Sequence, residues 1–150
     1  LESALDKMKR YKGSVPLYAN GDLGRIYAQL ADCCRHLDRE GEAARYCVLS
    51  LGADRYVTKS LLMLLGLLKK EEGEEETAAE TWELLSQLYD LSKLKDQMMI
   101  IKGAKLTGFK ALEKRVYDFM PEEWRRAVQE ELEKRIEEMR AYEESTENTD

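Results

Sequence analysis

Three cysteines and the single histidine fall in one short stretch: Cys33, Cys34, His36 and Cys47. Thiolates and imidazoles are the side chains from which zinc sites and thiol nucleophiles are built. The spacing argues against both. A structural zinc site uses paired ligands such as C-x-x-C, whereas adjacent cysteines on a helix point about 100° apart. Cys34 and Cys47 also fall at positions expected in a packed core, so neither a metal nor a cofactor is expected. Any conventional Ser/His or Cys/His mechanism would have to use His36, whose place near a helix end suits contacts with carbonyls or solvent. An odd number of cysteines, two of them adjacent, does not make a secreted disulfide framework, and the thiols are expected to be reduced.

The remaining chemistry-bearing residues are charged. EEGEEE (71–76) lacks the spaced oxygen ligands of a calcium loop and reads as a hydrated turn. No glycine-rich phosphate or dinucleotide motif is present, and the carboxylates belong to charged helix faces, not to an identifiable acid/base pair. No catalysis is expected. The formal charge of −6 arises wholly in residues 121–150, which hold eleven Asp/Glu and five Lys/Arg, while residues 1–120 carry 19 of each sign. Without a whole-domain positive field, nucleic acid is not an expected partner. Residues 91–115 do hold seven Lys/Arg against two Asp/Glu. That excess suits a solvated face, an acidic peptide or the chain's own acidic tail.

The elements that position these residues are helices. The chain has 150 residues, 43% hydrophobic side chains, two prolines and much Leu, Glu, Lys and Ala. This composition predicts one soluble all-α domain. Its most apolar run, Leu61 to Leu68, is far shorter than the roughly 18 to 20 residues needed to cross a bilayer, so no membrane association is expected. No secretory succession opens the chain, which predicts cytoplasmic localisation. The sequence opens inside a helix-like pattern, LESALDKMKRY, and reads as a piece of something longer.

Residues 27–51 and 62–86 align at a shift of 35, placing Tyr27 on Leu62, Leu30 on Leu65, Ala31 on Gly66, Ala43 on Ala78, Cys47 on Trp82 and Ser50 on Leu85. Each unit carries one cluster spaced i, i+3, i+4 and another spaced i, i+4, i+7, as two facing helices require. The small residues Ala31, Gly66, Ala43 and Ala78 are expected to let the paired backbones approach. Asp22 is the expected N-cap of the first hairpin, Gly41 and Gly52 its punctuation, and Thr77 with Glu80 a capping box. Over residues 24–90 this pattern resembles the tetratricopeptide repeat (TPR): a large residue, Leu and a small residue on one helix, then Ala, an aromatic and a small residue on the next. It departs from that pattern at Cys34, Arg55 and Leu85.

The resemblance implies a TPR-like stack of about three antiparallel helical hairpins, a right-handed α-solenoid, over 24–53, 58–90 and 93–119. A terminal amphipathic helix over 121–143 follows, its apolar edge formed by Trp124, Val128, Leu132, Ile136 and Met139. Residues 144–150 are expected to be a disordered acidic tail. The first helices of such hairpins line a concave surface. In this chain that surface would carry Arg25, Gln29, Asp32 and His36, then Met63, Leu64 and Leu67, then Lys95, Met98, Lys102 and Lys105. Met63, Leu64 and Leu67 either dock a partner's apolar side chains or are covered by another part of the same chain. Carboxylate-binding TPR proteins place Lys and Asn where Ala28 and Asp32 stand here, so recognition of a chaperone's acidic C-terminus is not expected.

The expected function is therefore a protein-interaction or scaffold module that binds a peptide or protein in the groove, with Arg25, Lys95 and Lys102 steering by charge. A second reading comes from residues 88–114, LYDLSKLKDQMMIIKGAKLTGFKALEK, which resemble the helical tails of some bacterial family 2 glycosyltransferases. It implies a regulatory or dimer-forming accessory region of a larger enzyme, with no transferase activity in these residues. A homodimer formed through the Trp124–Met139 edge is a third expectation.

Overall fold

The computed structural model describes residues 3–11, 15–17, 19–70 and 73–147. Among them are eight helices and no strand: α1 (Ala4–Lys9), α2 (Gly21–His36), α3 (Glu40–Ala53), α4 (Thr58–Lys69), α5 (Glu74–Leu88), α6 (Leu94–Thr107), α7 (Lys110–Phe119) and α8 (Glu122–Glu147). The chain divides into two compact units, 1–116 and 117–150, with the break inside α7. The start of EEGEEE, at 71–72, and the end of the expected disordered tail, at 148–150, lie outside the described residues.

In the first unit α2 and α3 form the closest pair, α3 leads into α4, and α4 packs on α6. A polar junction fixes the crossing of the first three. Ser50 Oγ donates to the Gly24 carbonyl at 2.7 Å and also lies 2.7 Å from Ser60 Oγ. Because one hydroxyl has one proton to give, Ser60 is the donor to Ser50. α1 lies on α3 and also meets α4 and α5, tied to α3 by Lys7 to Glu42 at 2.8 Å.

The apolar run now has an explanation. α4 meets α1, α2, α3, α5 and α6, so Leu61, Leu64, Leu65, Leu67 and Leu68 are all buried. A helix with neighbours on nearly every side has no use for a polar stripe.

Helix ends correct several expectations. Asn20, not Asp22, caps α2, its Oδ1 accepting from Leu23 N at 3.1 Å, while Asp22 pairs with Arg25 in the first turn. α5 begins at Glu74 behind Gly73 (φ 75°), so Thr77 lies inside the helix and is buried. Gly41 and Gly52 also lie inside α3; the chain turns instead at Asp38, whose φ is 57°. Gly52 is buried because the Pro16 backbone crosses it so closely that a Cβ would overlap the Pro16 carbonyl oxygen.

The burial pattern also revises the 35-residue equivalence. In α2, α4 and α6 the buried positions recur thirty-six apart: Gly24, Ser60 and Asp96; Ala28, Leu64 and Ile100; Ala31, Leu67 and Gly103. In α3 and α5 they recur thirty-four apart, pairing Ala43 with Thr77, Ala44 with Ala78, and Cys47 with Thr81. A shift of 35 is the average of the two. It matched Leu30, which is exposed, to Leu65, which is not, and Ala31, which is buried, to Gly66, where a Cβ would meet nothing within 4 Å. Gly66 therefore does not separate two packed backbones.

In the second unit α8 runs to Glu147, beyond the expected boundary at 143. Val128 and Leu132 are buried, whereas every described side chain from 133 to 145 is exposed.

Candidate partner-binding groove

Helices α2 and α4 border a groove of about 620 Å³. α2 contributes Asp32 and Arg35; α4 contributes Lys59, Leu62, Met63, Gly66 and Leu67; Lys70 closes the end. All of these residues belong to the first unit. The floor is apolar because α4 is leucine-rich all round, and the missing side chain at Gly66 leaves open space above the helix.

Charges frame this floor. Asp32 accepts from Arg35 Nη2 at 3.1 Å and lies 3.7 Å from Lys59 Nζ. The Arg35 hydrogen bond, with Lys59 and His36 adding positive charge, holds the Asp32 carboxyl below its ordinary pKa. His36 Nδ1 donates to the Asp32 carbonyl at 2.8 Å. Lys70 approaches Glu40 at 3.4 Å. Each ammonium has three donors and uses one in these pairs, and both lysines are mostly exposed, so they can also receive a further carboxylate.

Asp32, Met63 and Leu67 all line this groove. Leu64 is a correction: it has no exposed surface and cannot touch a partner, because α4 turns it into the core beside Leu61 and Leu65. Leu67 is nearly as buried and contributes floor, not anchor. Arg25, Gln29, Lys95, Met98 and Lys102 do not line this groove. Arg25 is engaged with Asp22, and Lys95 lies 4.1 Å from the centre of the Tyr56 ring. The groove lysines 59 and 70 were missed. Their signal was available: they bracket the apolar run at either end of α4.

A second cavity, of about 520 Å³, lies among Leu17, Asn20, Leu51, Asp54, Arg55 and Leu88. Its polar groups are already committed. Asn20 caps α2, Asp54 Oδ1 accepts from Tyr56 N at 3.0 Å, and Arg55 Nε donates to Asp96 Oδ2 at 2.8 Å. Asp96 also accepts from Tyr56 OH at 2.5 Å and from Asp90 N at 2.8 Å, joining the α3–α4 and α5–α6 turns. This is the architecture of a structural clamp.

No family model, curated protein or solved structure matches the chain. Functional inference therefore rests on the groove itself. Among the described residues no group of three or more His, Cys, Asp or Glu is placed to hold a metal. Cys33 is exposed, Cys34 half-buried and Cys47 buried, its thiol pushed up to about 12 by burial. Among the described residues no helix is long and apolar enough to cross a membrane.

Proposed function

We propose that this chain is a protein-interaction module, built as a TPR-like stack of helical hairpins, whose α2–α4 groove binds a peptide carrying both apolar and acidic side chains. The TPR-like reading is supported by the pairing of α2 with α3 and the packing of α4 on α2 and α6. It is supported too by the recurrence of buried positions along the three first helices. The binding reading is carried by one observation: Leu62, Met63, Gly66 and Leu67 form an apolar floor bordered by three cations, Arg35, Lys59 and Lys70, against one carboxylate, Asp32. Apolar contacts would supply most of the affinity, and the cations would orient the ligand and speed its encounter.

The test is capture of a panel of defined peptides, acidic-amphipathic, basic-amphipathic and polar, by fluorescence anisotropy. The acidic-amphipathic set should bind, and Met63→Glu should weaken it about tenfold or more while the circular dichroism of the protein stays unchanged. Preference for the basic set, or binding indifferent to Met63→Glu and Lys59→Glu alike, would remove the groove from consideration.

A further inference from the structure

Resting on that reading, we propose that the groove has an occupant encoded in the chain itself: the acidic end of α8 from a second copy, exchanged reciprocally to close a dimer.

The exposed end of α8 has the chemistry that the groove selects. Ile136, Met139 and Tyr142 are exposed at spacings of three, the last two strongly so, at 64% and 71%. Met139 and Tyr142 share one side of the helix with Arg135, Glu138 and Glu143. Over 136–145 the segment carries four glutamates against one arginine, whereas the groove presents Arg35, Lys59 and Lys70 against Asp32. Methionine and tyrosine are also well suited to the floor. The thioether adapts to an irregular gap such as the one over Gly66, and the ring buries a large area while keeping its hydroxyl at the wet rim.

The helix has a physical reason to seek cover. With every side chain from 133 to 145 exposed, this end of α8 has no packed face to add to its helix propensity. Adding a docked face would stabilise it. Pairing of α8 with α8 is disfavoured by the same glutamates, which would meet one another across the seam. The acidic helix end and the cationic rim of the groove are complementary in charge, so each of two copies can offer the other a ligand. Reciprocal insertion gives each copy one groove filled and one helix end covered, so the assembly closes at two instead of growing into a filament.

Sedimentation velocity on the full chain over a dilution series tests this. A monomer–dimer equilibrium is expected, weakening with added salt because acidic and basic surfaces meet. Met139→Asp with Tyr142→Asp removes the apolar anchors at exposed positions, and Gly66→Leu fills the groove from a site with open space above it. Each should raise the dimer dissociation constant about tenfold or more. Lys59→Glu and Glu138→Lys should each weaken the dimer, and the two together should restore part of the loss.

A chain that stays monomeric at every concentration overturns the proposal. So does a dimer lost with the α8 variant but indifferent to Gly66→Leu, which would mean that α8 pairs with α8. Peptide capture separates the two readings: a monomer that binds acidic-amphipathic peptides through Met63 sinks self-docking and leaves the interaction module standing.

Discussion

Asp96, with no exposed surface, holds Arg55 from forty-one residues away, accepting its Nε–H at 2.8 Å. The same carboxylate accepts from the Tyr56 hydroxyl and the Asp90 amide. One side chain thereby ties the two turns that enter α4 and α6. Removing it leaves three donors in a partly desolvated place. Asp96→Ala is expected to lower unfolding free energy by about 2 to 4 kcal/mol, with Asp96→Asn costing less because one acceptor remains. Urea denaturation measures both. A loss no larger than that of an ordinary surface substitution would show the clamp to be incidental.

Two helical glycines should respond to alanine with opposite sign. At Gly66 the added methyl enters open space, so the gain in helix propensity stands alone and stability should rise by about 0.5–1 kcal/mol. At Gly52 the methyl meets the Pro16 backbone, which cannot rotate away as a flexible side chain would, and stability should fall by about 1 to 3 kcal/mol. Shifts of the urea midpoint at constant slope would check both. A gain at Gly52 would mean that residues 15–17 do not lie on α3.

Stability should decline on acidification partly through Glu42. The hydrogen bond from Lys7 lowers its pKa from the ordinary 4.5. A carboxyl depressed in the folded state stabilises the fold fully above its unfolded value, and this contribution is lost as pH falls through the folded one. Glu42→Gln should therefore flatten the stability profile below about pH 4.5, and Lys7→Met should flatten it similarly. An unchanged acid limb in both variants would separate α1 from α3.

Thiol labelling should proceed in a fixed order at neutral pH. Cys33 is exposed, Cys34 is half-buried with its pKa raised chiefly by burial, and Cys47 is buried with its thiol near 12. Because the thiolate is the nucleophile, Cys33 should alkylate first and Cys47 only on unfolding. Mass spectrometry of the labelled peptides reads the order. Early modification of Cys47 would mean that the α2–α3 pair opens locally.

Helix identity was largely written in local pattern. The 3.6-residue periodicity of α2, α6 and α8, and the breaks near residues 54–57, 89–93 and 108–109, follow from side-chain type and turn chemistry, which neighbouring residues carry among themselves. Asp32, Met63 and Leu67 were placed on one surface by the resemblance to stacked hairpins, and they line one groove. Glycine was the weaker guide. Gly41, Gly52 and Gly66 read as boundaries or close-packing sites, yet two lie inside α3 and the third faces open space.

What the linear pattern determined was the all-helical class, the close approach of α2 to α3 and the confinement of the net negative charge to the last thirty residues. Tertiary packing alone decided the face of α4 that stays open, since periodicity carries no phase in a helix that is apolar all round. It also decided that Lys59 and Lys70 frame that face, and that a buried aspartate, Asp96, reaches Tyr56 forty residues away. Such pairings depend on distances across the fold, and an interaction that no local sequence encodes becomes visible only when the helices are set side by side.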